Sequence, residues 1–147
     1  MATNRAYPFI GKNQPCDERT KSSQSESTKF NIKGIYKVGS SFEQISRALS
    51  YGPIAAQIDG NSWMLKNYKK GIINKFSSCG QNIDHAVLIV GHGYDRATKQ
   101  NYLIIKNSWG TEWGEKGYAR LSADVTPKYP KGMCGIYSRP IMAMIDI

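Results

Sequence analysis

The feature that most constrains this chain is a continuous apolar run, His85-Ala-Val-Leu-Ile-Val-Gly91, with a polar segment before it and glycines after it. Its length is that of a β-strand. No apolar run approaches the roughly 18 residues that a membrane helix needs, so no membrane partner is expected. Further strand candidates are Ile54 to Asp59, Tyr102 to Lys106, Gly117 to Leu121 and Ile141 to Ile145, and Phe30, Ile32 and Tyr36 suggest a short strand within Phe30 to Val38. One stretch carries a strong helix signal. Ser41 and Gln44 stand at capping-box spacing, Phe42, Ile45 and Leu49 follow on one helical face, and Gly52-Pro53 ends the pattern. Asn61 is placed to cap a single helical turn containing Trp63, Met64, Leu65 and Tyr68. The polar, Ser/Thr-rich segment 13–29 reads as an irregular lead-in loop. One good helix followed by short strands with Gly-rich turns predicts an α+β domain, an antiparallel sheet with helical decoration. With no internal repeat and no long linker, residues 1–147 are expected to form a single domain.

Charge and cysteine count narrow the function classes. Twenty Lys and Arg against eleven Asp and Glu give +9, but these charges are spread along the chain. A solvated surface is therefore expected rather than a nucleic-acid partner. Met-Ala-Thr-Asn-Arg-Ala-Tyr-Pro at the start lacks the apolar core of a secretion signal. Cys16, Cys79 and Cys134 are too widely spaced for a zinc pair and suit long-range disulfides in an oxidising compartment. Three cysteines leave one unpaired, so either a thiol is free or its partner lies outside this chain.

Two stretches carry the chemistry. They are Asn82-Ile-Asp-His85-Ala-Val-Leu-Ile-Val-Gly-His-Gly93 and Tyr102-Leu-Ile-Ile-Lys-Asn107-Ser-Trp-Gly-Thr-Glu-Trp-Gly-Glu-Lys-Gly-Tyr118. Together they resemble the histidine and asparagine signatures of the papain (cathepsin) family of cysteine peptidases, and the resemblance runs from Tyr7-Pro8 through the last strand. It implies a papain-like fold, of which this chain is the C-terminal, β-barrel-like lobe, without the helical N-terminal lobe. It also implies proteolysis through a thiol nucleophile. A free thiol is only a few per cent thiolate at neutral pH, and an adjacent imidazole that takes its proton lowers its pKa to about 3–4 in this family. By this resemblance His85 is that imidazole, base first and acid afterwards, and the Asn107 side-chain oxygen fixes its tautomer. Trp109 would cover that hydrogen bond from water, and Trp113 would line the leaving-group side of the cleft.

Taken singly, these residues have blander readings. A histidine opening an apolar strand is usually a hydrogen-bonded structural residue, and Trp109 and Trp113 could be ordinary core aromatics. The Asn107 context is what lifts His85 above that. His92 stands where the family usually has an aromatic residue and reads as structural, and Asp84 reads as a strand-edge group. A metal site from His85, His92, Cys79 and Cys134 lacks any chelating pair, so no metal or cofactor is expected.

The family's Cys-Gly-x-Cys-Trp segment is not in this sequence. A spacing of about 130–150 residues from nucleophile to histidine and asparagine would put it roughly 45 residues before Met1. The resemblance pairs Cys79 with Cys134 and leaves Cys16 for a cysteine of the missing N-terminal lobe. It builds the pocket for the substrate residue two before the scissile bond from Gln57, Ile83, Ala86 and Arg139. The expected partners are thus a peptide or protein substrate and the N-terminal lobe, whose absence would leave an apolar face bare. Lysosomal or extracellular location follows from the resemblance alone. The chain by itself is expected to be inactive. The alternative is a non-enzymatic half-protease that binds or occludes a target.

Overall fold

The computed structural model describes residues 7–15 and 32–145. The chain divides into two compact units, Ile35–Ala143 and a smaller one of Met1–Gly34 with Met144–Ile147. In the smaller unit the Tyr7 hydroxyl donates to the Pro15 carbonyl (3.1 Å) and the Gln14 amide to that of Pro8 (2.9 Å), which ties residues 7–15 into a loop. Residues 13–15 have no regular structure; the rest of the lead-in segment, 16–29 with Cys16, and Phe30 of the first strand candidate lie outside the described residues.

Among the described residues the strands are β1 (Ile32–Lys37), β2 (Ile54–Ile58), β3 (Ile72–Ile73), β4 (His85–Asp95), β5 (Gln100–Lys106), β6 (Tyr118–Ser122) and β7 (Ile141–Ile145). They form one sheet in the order β1-β7-β2-β4-β5-β6-β3. The β7–β2, β2–β4, β4–β5 and β5–β6 pairings are antiparallel. The expected antiparallel sheet is in fact mixed, because β3 pairs in parallel with β6. That two-residue strand was not anticipated; Ile72-Ile73 is too short to show any period.

Helix α1 (Phe42–Ala48) starts at Ser41, whose Oγ accepts from the Gln44 amide (3.3 Å). It buries Ile45 and Ala48 against the sheet and ends at Leu49, before the Gly52-Pro53 stop. The short helix α2 (Trp63–Lys66) is capped by Ser62 rather than by Asn61. Ser62 Oγ accepts from the Leu65 amide (3.4 Å) and donates to the Ser78 carbonyl (2.6 Å). Asn61 is drawn off the cap because its amide donates to the Asp84 carboxylate and its carbonyl accepts from Lys66 Nζ (2.9 Å).

Strand β4 does not stop at its glycines. The β4–β5 register shifts between Ile89 and Gly91, and the bulge lets the strand run on to Asp95. Alternation then decides the two faces. Ile54, Ile58, Ile89, Leu103, Ile105 and Leu121 are fully buried on one side. A one-residue slip of any of these strands would carry its members of that set into water, at about 1.5–3 kcal/mol per side chain, so burial fixes the register. In that register His85 stands opposite Ile58 and Ala86 opposite Gln57. The other face carries a cross-strand row of Ile141, Ala55, Leu88, Lys106 and Tyr118. Leu88, Val90, Ile141 and Tyr118 each stay more than a third exposed there.

Candidate active site

His85 opens β4, and two carboxylates hold the turn beside it. Asp59, nearly buried, accepts from the backbone amides of Asn61 (3.1 Å) and Asn82 (3.2 Å), pinning the end of β2 to the chain that enters β4. Asp84 accepts from the Gly60 amide (2.8 Å) and from the Asn61 side chain, and its own amide donates to the Ile58 carbonyl (3.1 Å). Asp84 is therefore more than a strand-edge group. It locks the residue before His85 onto the Gly60 turn. Gly60 itself lies directly against the histidine: a Cβ there would fall 2.4 Å from His85 Cβ. The Asp-Gly pair that ends β2 marks a turn in sequence, but nothing in it marks the long-range contact.

Asn107 follows the last residue of β5, and its amide donates to the Gly117 carbonyl (2.9 Å). Its Oδ1 lies 2.8 Å from His85 Nε2 and accepts from the Ser108 amide, also at 2.8 Å. A backbone N–H can only donate, so the atom facing it is the carboxamide oxygen. His85 must then present N–H at Nε2, which leaves the lone pair of the neutral ring on Nδ1. Asn107 is nearly buried, and its Nδ2 has no hydrogen-bond acceptor among the described residues. Trp109 stacks on the imidazole with centroids 4.9 Å apart and planes 29° apart. Trp113 meets Trp109 edge to face at 5.3 Å, is itself buried, and donates its indole N–H to the Leu65 carbonyl (2.9 Å). Polar pair and aromatic cover thus form one cluster, and an imidazolium formed here would face an indole π-surface.

The structure gives each remaining residue of interest its own surroundings. Gln57 and Ala86 are cross-strand neighbours, both exposed. Ile83 packs on Gly135, which has φ +77° and could carry no Cβ without striking the Ile83 side chain at 2.4 Å. Ser138 Oγ lies by that contact, buried with no partner among the described residues, and the next residue, Arg139, is exposed. His92 hydrogen-bonds Ser46 (2.8 Å) and sits edge-on to Phe42, tying β4 to α1 away from His85. Cys79 and Cys134 are joined in a disulfide, so neither offers a thiolate to a metal or a substrate.

Comparison with known proteins gives the family. The family described as "Papain family cysteine protease" matches residues 1–144. The chain is 38% identical over 137 residues to cysteine proteinase COT44 of Brassica napus, covering 92% of this chain and 39% of that protein. It is 34% identical over 141 residues to cathepsin R of Mus musculus, covering 94% and 39% respectively. Among solved structures it is similar to the bromelain protease from Ananas comosus in complex with the E64 inhibitor, with a TM-score of 0.81 and 31% identity. That match covers 99% of this chain and 63% of the other. The chain thus spans about two-fifths of the length of these curated relatives. It belongs to the papain family of cysteine proteases.

Proposed function

We propose that this chain is the histidine/asparagine half of a thiol peptidase, with His85 as base and acid and Asn107 as the group that orients it. The observation that carries the reading is the doubly fixed Asn107 oxygen, which directs Nε2–H toward itself and leaves Nδ1 as the proton acceptor. In the reaction, Nδ1 takes the proton of a cysteine thiol, and the thiolate attacks the scissile carbonyl carbon. The tetrahedral adduct collapses to a thioester as Nδ1–H protonates the departing amine. Water, deprotonated by the same nitrogen, then releases the acid and restores the thiol. Trp109, stacked on the imidazole with Trp113 edge-on to it, keeps bulk water off the His85–Asn107 bond, which strengthens it.

The nucleophile is assigned to a segment outside these 147 residues: Cys79 and Cys134 are spent on the disulfide, and Cys16 stands in no Cys-Gly-x-Cys-Trp segment and is assigned to a cysteine of the N-terminal lobe. The bare row of Leu88, Val90, Ile141 and Tyr118 is the face on which the segment carrying the nucleophile would seat. The substrate is a peptide or protein, and Gln57, Ile83, Ala86 and Arg139 form the pocket for its second residue before the cut. The disulfide supports an oxidising compartment, lysosomal or extracellular.

The test mixes this chain with a papain-family N-terminal lobe carrying the cysteine. The chain alone should not turn over a peptide substrate; the mixture should, and His85→Ala in the mixture should abolish it. Thiol-dependent turnover by the chain alone would refute the assignment of the nucleophile. Full activity of the His85→Ala mixture would refute the role of His85. A mixture that assembles yet never turns over would leave a non-catalytic half-protease that binds through the same face.

A further inference from the structure

A single train of contacts runs from the candidate site to an ion pair that the chemistry above does not use. Behind Trp113 lies Tyr68, with ring centroids 5.6 Å apart and planes 44° apart. The Tyr68 ring is buried, and a phenylalanine would fill the same space. Its hydroxyl nevertheless makes two bonds. It donates to the Gly71 carbonyl (2.6 Å) and accepts from the Arg120 backbone amide (3.3 Å). Arg120 in turn grips Glu115 with both arms of its guanidinium (Nε to Oε2 3.0 Å, Nη2 to Oε1 2.6 Å). Glu115 Oε1 also accepts from the Gly71 amide (3.1 Å). Gly71 is therefore held at its carbonyl by Tyr68 and at its amide by Glu115, while Arg120 ties both holders to β6.

This arrangement orients more than it buries. Trp109 is over a third exposed and leans on Trp113, and Trp113 has one polar anchor, the Leu65 carbonyl. The Tyr68 ring forms the wall against which Trp113 is set, and its tilt is fixed by a hydroxyl bonded at two points. Gly114 closes the other side, since a Cβ there would meet Tyr68 Cδ1 at 2.9 Å. A planar, bidentate Arg–carboxylate pair sets geometry in a way that a point charge does not.

We infer that Tyr68, held at the Gly71 carbonyl and the Arg120 backbone amide and reached by the Glu115–Arg120 pair through Gly71, is a positioning residue for His85 and Asn107, acting through Trp113 and Trp109. Its catalytic consequence rests on the reading of His85 given above, but the coupling itself can be measured in this chain without any catalysis. The readout is the His85 ring by nitrogen-resolved NMR: the fraction of Nε2–H tautomer and the rate at which that proton exchanges with water. It is taken in the wild-type chain, Tyr68→Phe, Glu115→Gln and Arg120→Lys. Amide exchange at Ile89 and Leu103 reports global stability alongside.

Tyr68→Phe keeps the ring and loses only the hydroxyl; it should speed exchange of the Nε2 proton several-fold while Ile89 and Leu103 stay protected. Arg120→Lys keeps the charge and loses the fork, and should act in the same direction. Identical His85 exchange and tautomer in folded Tyr68→Phe and Arg120→Lys would overturn the inference. So would exchange that accelerates equally at His85, Ile89 and Leu103, which is what general destabilisation gives. In the reconstituted enzyme Tyr68→Phe should lower kcat by up to about tenfold with little change in KM. If reconstitution yields no activity but the His85 ring still responds, the coupling stands and only the catalytic reading falls.

Discussion

The oxygen of Asn107 that faces His85 Nε2 at 2.8 Å is held in place by the amide of its own neighbour, Ser108. The local backbone thus fixes which carboxamide atom faces the imidazole. NMR of the folded chain near neutral pH should find the neutral His85 ring in the Nε2–H form. Asn107→Ala should release it to a mixture of tautomers with the fold intact. A wild-type ring protonated at Nδ1 would contradict the assignment of base and orienter.

Gly60 sets how closely the β2 turn can approach that ring. In Gly60→Ala the new methyl would stand 2.4 Å from His85 Cβ and 2.9 Å from Cγ, with Asp84 Oδ1 at 3.3 Å. One of them must move. Chemical denaturation should show a loss of about 1–3 kcal/mol, the usual cost of overpacking, together with a displaced His85 signal. A variant as stable as wild type with an unchanged His85 would mean that the turn yields freely.

The candidate pair was easier to read in the sequence than the frame that holds it. His85 and Asn107 are named by compact strings around them, β4 by its continuous apolar run, and α1 by period and capping. What escaped was decided at a distance. The Asn61 amide went to Asp84 rather than to the helix it precedes, and Ser62 took the cap. Strand β4 ran past Gly91 because a bulge absorbed the mismatch. The two-residue β3 exists because β6 lies beside it. The Asp59-Gly60 pair marks a turn, but nothing in the sequence marks the reach of Asp59 to Asn82, of Gly60 to His85 or of Glu115 to Arg120, partners at least five residues away.

The Glu115–Arg120 pair should also leave its mark on acid stability. The Arg120 guanidinium, followed by the Gly71 amide, holds the Glu115 carboxyl below the usual glutamate range. Its contribution is therefore complete above the unfolded glutamate value and disappears as the pH falls through the lower folded one. Both side chains are about 30% exposed, so the pair is worth about 0.2–1 kcal/mol rather than more. Urea midpoints measured from pH 6 down to pH 3 should fall more steeply in wild type than in Glu115→Gln. Parallel curves would show that the pair does not contribute.

Arg139 carries the proposal on substrate choice. With Gln57, Ile83 and Ala86 it is proposed to line the pocket for the second residue before the cut; it follows Ser138, whose buried hydroxyl has no partner among the described residues. A charge-assisted bond from a substrate carboxylate contributes about 1.5–3 kcal/mol. Exposure of the guanidinium places the effect at the low end, about tenfold in kcat/KM. In the reconstituted enzyme, substrates with Glu there should be preferred over matched Leu substrates, and Arg139→Ala should erase the difference. An unchanged Glu-to-Leu ratio in Arg139→Ala would remove Arg139 from the pocket.

The central claim is that the ring nitrogen left free by Asn107 takes the proton of a cysteine supplied from outside these residues. The most direct measurement is the rate of alkylation of that cysteine against pH, in this chain assembled with a papain-family N-terminal lobe. With His85 present the thiol should stay reactive down to about pH 4, as expected of a thiolate paired with an imidazolium. With His85→Ala in the same assembly, reactivity should rise only toward the ordinary thiol value of about 8.5. Superimposable profiles for the two assemblies would contradict the account.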